Sequence, residues 1–392
     1  MNTVDTGLDG VPVCTSDISV TTLGADGKPI LLYRGYSIFD LVKGFFEESV
    51  YLILYGHLPG KEQLDTFTGE LSANRALDDR IIGHMKSYPK NVHMMDFLLT
   101  TLSYARMFDK DYQNPLWQSP KSEPDKLANL ILKTGTRMGA KIPTLIAGGY
   151  RIQNGQPVIP PDPSLAYAAN FLHMLDIEPE EEAVKALNTV LILYLEHTIN
   201  CSTFASLVAE SSGTDPYSPL LAGGISLKGV FHGGANECTA DMLEEIGRPE
   251  NADAYIHGKL KRKEIVPGFG HRLKHYKDNV ESRVRIAEGV ARPLAKKKGL
   301  GHLFEIYDTI SRIMHNEKER TPNADLPICI LLKIIGVPKA LNTPLFQASR
   351  HFGWVANNVR QRKAKGPLYR PTQKYIGPGA DKIKTYVPLE KR

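Results

Sequence analysis

EEAVKALNTVLILYLEHTIN (residues 181–200) sets the fold class of this chain. Val184, Leu187, Leu191 and Tyr194/Leu195 recur at intervals of three and four, which places them on one face of a helix. The same spacing dominates in both directions. Phe45, Val50 and residues 52–55 lead into Gly56 and Pro59, a helix stop. Residues 127–146 are long and mostly apolar but carry Gly135, Gly139 and Pro143, so they read as helices packed closely through small residues. Strand-like residues are confined to 18–23 and 29–33, which flank GADGK and predict one hairpin near the start. The expected fold class is all-α with a small N-terminal β-hairpin.

With 392 residues, 42% of them hydrophobic, the chain can bury a large core and divide into about two or three domain-sized units. A net charge of +5 suits an anionic small ligand and is too modest and scattered for nucleic acid. Cys14, Cys201, Cys238 and Cys329 form no CxxC pair, which reads as a reduced, cytoplasmic protein. The opening MNTVDTGLDG is acidic without an apolar centre, unlike a signal or transit peptide, and the closing LEKR is not a peroxisomal signal. The longest clean apolar run, residues 190–195, falls far short of the roughly 20 residues that span a bilayer.

Four separated segments carry reactive groups: LEHTINCSTF (195–204), FHGGANE (231–237), VPGFGHR (266–272) and PNAD (322–325). His232 precedes a Gly-Gly turn and a helical pattern. A histidine near a helix N-terminus is held neutral and can donate to a carbonyl oxygen that is gaining charge, or it can simply cap the turn. His271 and Arg272 end a Pro-Gly-x-Gly loop whose glycines let the backbone approach a ligand. Asp325 stands just before the helix expected over 327–335, either as its N-cap or as a general base that takes a proton from carbon. His197 is read within an apolar helix, where a core role competes with ligand binding. Arg350 lies in a helix opened by Asn342, with Thr343 as its cap, and has Phe346 and Trp354 four residues to either side. A guanidinium there needs an anionic partner. Lys259, Lys261, Arg262 and Lys263 run up to the glycine loop, as a solvated helix end or as a seat for phosphates. His271 and His275 have the i, i+4 spacing of zinc helices, but Arg272, Lys274 and Lys277 surround them and no glutamate intervenes, so no metal is expected.

Taken in order, GLDGV, YRGYSIFDL, FEESVYLILYGHLP, EHTINCSTFA, FHGGANE, VPGFGHR, TPLFQASRHFGW and LYRPTQKYIGP resemble the landmarks of citrate synthases and their 2-methylcitrate and alkylcitrate relatives over nearly the whole chain. The resemblance implies a large helical domain (1–225 and 333–392) that dimerises and a small one (226–332) that closes over the site. It implies that Asp325 takes a proton from the acetyl-CoA methyl, that His232 donates to the enolate oxygen, and that His271 polarises the oxaloacetate ketone. His197, Arg272 and Arg350 would hold oxaloacetate, and Arg370 would reach in from the other subunit of a homodimer. CoA would lie along Val266, Pro267, Gly268, Phe269 and Gly270 with Lys263 nearby, and no cofactor beyond the thioester substrate is implied.

Two departures stand out. The family's Asp-Pro-Arg after the GFGHR loop is missing, and a gapless count puts Val280 at the arginine's place. Arg283 becomes the replacement if the loop is three residues longer, with Lys274 and Lys277 as further candidates. The stretch also resembles the citryl-CoA-cleaving relatives, in which a similar arginine follows Asn-Pro-Asp. Leu326-Pro327 after Asp325 is the second departure, at a place where aromatic and small residues are usual. The acyl chain therefore stays open between acetyl, propionyl and longer, and a family member that binds CoA or a metabolite without turnover is the lesser alternative.

Overall fold

The computed structural model describes residues 8, 10–118, 123–271, 279–379 and 382–392 and is helical throughout apart from one small sheet. Strand β1 (Ser19–Leu23) pairs antiparallel with β2 (Pro29–Tyr33), with Thr21 opposite Leu31, as the hairpin reading expects. A two-residue strand β3 (Tyr36–Ser37) extends the sheet beyond that expectation. β2 buries Leu31 and Tyr33. The Tyr33 hydroxyl lies 2.9 Å from both Ile192 O and Glu196 O, which ties the sheet to the end of the helix that opened the sequence reading.

That helix is Glu181–Tyr194, with Leu187, Leu191 and Tyr194 of the expected face buried and Val184 half-buried. It stops before His197, which the sequence placed inside it. Thr198 takes a left-handed backbone (φ 55°), and the Asn200 side chain accepts from Thr203 N at 3.1 Å to cap a new helix, Cys201–Ser211. His197 is therefore held in the connection between two helices.

A second correction concerns residues 127–146. They belong to one unbroken helix, Pro124–Gln153, with Pro143 inside it. Proline removes the N–H that would bond to the carbonyl four residues earlier. That carbonyl is Gly139 O, and the buried Tyr167 hydroxyl reaches it at 3.1 Å. Gly135 and Gly139 face the long helix Asn342–Lys363, where an added Cβ would come within 2.4 Å of Val355 and 2.6 Å of Phe352. The small residues seat a second helix rather than break the first.

Asn342–Lys363 is the centre of the core. It packs against Pro124–Gln153, Phe46–Tyr55, Glu181–Tyr194, Cys201–Ser211 and Ser218–Leu227, and buries Trp354, Phe352 and Arg350. Its cap position is Leu341, so Thr343 is the second residue of the helix, and its hydroxyl faces Gly233 O at 3.4 Å. A second group of helices packs together: Ala235–Ile246 and Ser282–Lys297 against Asp325–Ile334, and Pro249–Lys261 against His302–Lys318. Beyond Lys363 the described chain is mostly irregular and exposes Leu368, Tyr375, Ile376, Ile383 and Tyr386. No helix among the described residues is long and apolar enough to cross a membrane.

Candidate active site

Five pieces of chain meet around the buried guanidinium of Arg350. The long core helix carries Arg350 itself, 1% exposed, with Nε donating to Tyr194 O at 2.7 Å and the guanidinium 4.8 Å from the Phe346 ring. Its nearest opposing charge is Glu196, also buried, so the anionic partner required by the sequence is in part a structural carboxylate. Burial draws Arg350 down to about 10, against the pull of Glu196, and leaves it cationic at neutral pH. Burial pushes Glu196 up to about 7, opposed by Arg350 and by hydrogen bonds from Ser19 and Asn357.

His232 stands three residues before the helix Ala235–Ile246. The Gly-Gly between them is needed for close approach, because a Cβ on Gly233 would meet Leu227 O at 2.7 Å and one on Gly234 would meet Lys228 O at 2.5 Å. Burial, then Arg350 and Arg283, push His232 down to about 3, so the ring is neutral. The sequence reading credited the helix terminus; desolvation is the larger cause. Ser202 N donates to His232 Nε2 at 3.3 Å, and the Ser202 hydroxyl lies 2.7 Å from Nε2 and 2.8 Å from Asn200 Oδ1. A backbone N–H can only donate, so Nε2 accepts and the proton of the neutral ring sits on Nδ1. The ring therefore offers one N–H donor.

Asp325 opens the helix Asp325–Ile334 as its first residue, two earlier than expected, with Ala324 in the cap position. The simple cap role is not realised. Instead, Asn323 Oδ1 accepts from Asp325 N at 3.1 Å. Asp325 is half-buried, and desolvation pushes its carboxyl group up to about 6, while Arg283 and a hydrogen bond from Asn236 pull the other way. Asn236 is fully buried and also donates to the Tyr194 hydroxyl, so one amide links the His232 turn, the Asp325 helix and the Glu181–Tyr194 helix.

The glycine loop is joined to the Asp325 turn. Gly270 N donates to Thr321 O and Asn323 N to Gly268 O, each at 2.9 Å, and Phe269 bridges to Pro322. Gly268 and Gly270 have φ of 82° and 81°, so glycine is required at both. His271 leaves this loop with its ring 5.3 Å from that of His197. Burial first, then Arg283 and His271, drives His197 well below the usual histidine range. Glu281 lies between them: its Oε2 is 3.9 Å from Nε2 of each imidazole, and its Oε1 is 3.0 Å from Arg283.

Arg283, the replacement that assumed a longer loop, is thus buried among these groups, and its charge acts on His197, His232 and Asp325. Val280 directly precedes the Glu281 corner. Arg272, Lys274, His275 and Lys277 lie outside the described residues. Val266 and Gly268 are buried, Pro267, Phe269 and Gly270 half-buried, and Lys263 exposed with a left-handed backbone (φ 57°). Lys259 and Arg262 pair with Glu264, at 3.3 and 2.6 Å, so part of the basic run is already compensated. Arg370 is exposed, next to Tyr369, which packs on Phe204; the structure does not bring it to the cluster within this chain.

His197, His271 and Glu281 offer three donor atoms within 4.8 Å of one another. Ligands sharing one ion at bond lengths of about 2.0–2.2 Å sit closer together than the 3.9 Å found here, and Arg283 and Arg350 add two positive charges. The trio fits a metal poorly and an anion well. The neutral rings of His197 and His232, the buried guanidiniums of Arg283 and Arg350 and the half-buried Asp325 make a pocket suited to seating a carboxylate beside a proton abstraction.

Sequence reasoning passed over Glu281, Glu196, Asn236, Ser202 and Asn323. Four of these lie inside or beside the quoted motifs, so attention to each motif's other polar residues would have found them. Glu281 had no such signal.

The model for the citrate synthase C-terminal domain matches residues 7–372. A citrate synthase of Synechocystis sp. is 36% identical over 391 residues, covering 98% of this chain and 93% of that protein. The 2-methylcitrate synthase 1 of Corynebacterium glutamicum is 34% identical over 393 residues, covering 98% of each chain. Among solved structures, the citrate synthase of Thermoplasma acidophilum, in ternary complex with carboxymethyl coenzyme A and oxaloacetate, superposes with a TM-score of 0.85 at 28% identity over 98% of each chain. This chain belongs to the citrate synthase family. It is accordingly an enzyme, an acyltransferase that converts the acyl group to an alkyl group on transfer.

Proposed function

We propose that the protein condenses acetyl-CoA with oxaloacetate to give citrate and CoA. The observation that carries this reading is that a desolvated, amide-held carboxyl group, Asp325, and a neutral imidazole, His232, both lie under the charge of the Arg283 and Arg350 guanidiniums. A carboxylate is a weak base for a carbon acid, so the developing enolate must be stabilised where it forms. Asp325 takes the methyl proton, and the His232 Nδ1–H donates to the thioester oxygen. His271 donates to the ketone of oxaloacetate, whose carboxylates are held by Arg350, Arg283 and His197. The nucleophilic carbon then attacks the ketone carbon, the ketone oxygen takes a proton, and water cleaves the resulting thioester to release CoA.

In this reading residues 226–332 form a small domain that closes on the large one (1–225 and 333–392) and excludes water during condensation. CoA lies along Val266–Gly270, with Lys263 near its phosphates, and no metal or prosthetic group takes part. The protein acts as a cytoplasmic homodimer. Its four free cysteines support the compartment. Exposed Ile225, Val230 and Phe231 and the apolar residues of the C-terminal segment support the dimer, in which Arg370 completes the partner's pocket. The likeness to 2-methylcitrate synthase and the Leu326-Pro327 departure favour a second reading, in which propionyl-CoA replaces acetyl-CoA.

Thiol release from acetyl-, propionyl- and longer acyl-CoA, with and without oxaloacetate, tests both. Oxaloacetate-dependent release fastest with acetyl-CoA is expected. Faster release with propionyl-CoA selects the second reading, and no release with any thioester rejects both.

A further inference from the structure

Among the described residues, Glu281 is the carboxylate that lies 3.9 Å from both the His197 and His271 imidazoles, and nothing in the mechanism above uses it. It occupies the N-cap position of the helix Ser282–Lys297 with an extended backbone, and its carbonyl accepts from Arg285 N at 3.2 Å. The corner it stands on is fixed from outside. Leu31 N donates to Ser282 Oγ at 3.2 Å, and Arg285 donates to Pro29 O at 2.6 Å, so strand β2 grips the first turn of the helix. Glu281 is 2% exposed. A buried carboxylate on an anchored backbone has little freedom to leave its neighbours.

Those neighbours come from three separate pieces of chain. Arg283 is within 3.0 Å, on the same helix turn; His197, from the connection before Cys201, and His271, from the glycine loop, each point Nε2 at Oε2 from 3.9 Å. A buried guanidinium beside a second one, Arg350, is repelled from the pocket unless a counter-charge holds it. Glu281 supplies that charge. A carboxylate oxygen 3.9 Å from Nε2 of both imidazoles also sets the orientation of both rings.

We propose that Glu281 is the positioning residue of the 2-oxo acid site, holding Arg283 and the His197 and His271 rings in the arrangement that receives the substrate's carboxylate and ketone. The proposal rests on the reading that oxaloacetate is the substrate. It assigns the work of the missing Asp-Pro-Arg to a Glu-Ser-Arg, residues 281–283, in which the acid orients and the arginine binds.

Three variants, Glu281→Ala, Glu281→Gln and Glu281→Asp, test it by steady-state kinetics with each substrate varied in turn, beside thermal melting. Glu281→Ala is expected to raise KM for oxaloacetate at least about tenfold, a loss of about 1.4 kcal/mol, without moving KM for acetyl-CoA, and to lower the melting temperature because Arg283 loses its buried partner. Glu281→Gln keeps an oxygen for Arg283 and is expected to recover part of the loss, as is Glu281→Asp. An unchanged KM for oxaloacetate in Glu281→Ala overturns the proposal. So does a rise in both KM values together with lower melting, which marks a purely structural role. If the wild-type enzyme releases no thiol, the parent reading fails by itself. Calorimetric titration of wild type and Glu281→Ala with oxaloacetate then decides the residue: tenfold weaker binding upholds it, while equal binding or none by the wild type overturns it.

Discussion

At one end of the pocket Arg350, Arg283, Glu196 and Glu281 crowd four ionisable groups into a space closed to water; at the other, Asn236, four residues after His232, donates to Asp325 and to the Tyr194 hydroxyl. Desolvation acts at both ends, and by itself it drives every titratable group toward neutrality. The outcomes differ because the partners differ. At the first end guanidiniums and carboxylates compensate one another, so Arg350 stays cationic although it is drawn down to about 10. At the second end His232 has no carboxylate against it and is neutral at about 3, while Asp325, held by an amide, titrates at about 6. The first end is built to seat an anion and the second to move a proton.

The largest expected effect breaks the second end and spares the first. Asp325→Asn is nearly isosteric, keeps an oxygen that can accept from Asn236 and removes the base. Oxaloacetate-dependent thiol release should fall by a factor of about 10³ or more, with oxaloacetate affinity by calorimetry unchanged. Near-normal turnover would remove Asp325 from the chemistry. The same residue gives the pH dependence. A base must be ionised to act, so kcat/KM in the wild type should fall as pH is lowered through about 6. For stability the sign is opposite: the folded state holds this proton more tightly than the unfolded one, whose value lies near 3.8. Wild type should therefore lose stability relative to Asp325→Asn as pH rises from about 4 through about 6, and parallel unfolding curves over that window would contradict it.

A smaller effect is expected at the anion end. Arg283→Ala should raise KM for oxaloacetate roughly 10- to 100-fold, the worth of a charge-assisted contact. KM for acetyl-CoA should move little. An unchanged KM for oxaloacetate would leave Arg350 as the main carboxylate ligand and point to the segment between His271 and Asn279 for the second.

Much of this contrast was legible before any coordinates. Helical spacing identified the helix that ends at Tyr194, and the four motif segments held His197, His232, His271 and Asp325. Chain order could not say which neighbours decide each residue's charge. The neutrality of His232 comes mainly from burial in the fold, with Arg350 and Arg283 adding to it, and not from its own helix. Glu281 escaped notice because a glutamate among charged residues looks like a solvated surface until the fold packs it against two imidazoles. Pro143 looked like a helix break because the group that satisfies Gly139 O, the Tyr167 hydroxyl, belongs to a different helix. Arg370 remains a residue whose proposed role needs a second chain, and no pattern within one chain places it.

The proline provides the mildest test, and it separates the pocket from its scaffold. In Tyr167→Phe the ring still fills its place against Phe46 and Phe352, at 5.0 and 6.3 Å between centroids, and only the hydroxyl is lost. Gly139 O then has neither the amide that Pro143 lacks nor the phenol, and Ala348 O loses its 3.2 Å contact as well. Leaving a buried carbonyl without a donor costs about 1–3 kcal/mol, which denaturant titration resolves as a lower midpoint at unchanged slope. Neither carbonyl faces the pocket groups, so KM for oxaloacetate and kcat should hold. An unchanged midpoint would mean that the helix tolerates Pro143 without the phenol. A raised KM would mean that the core helix transmits its seating to Arg350, two residues beyond Ala348, and that scaffold and anion end are not separable.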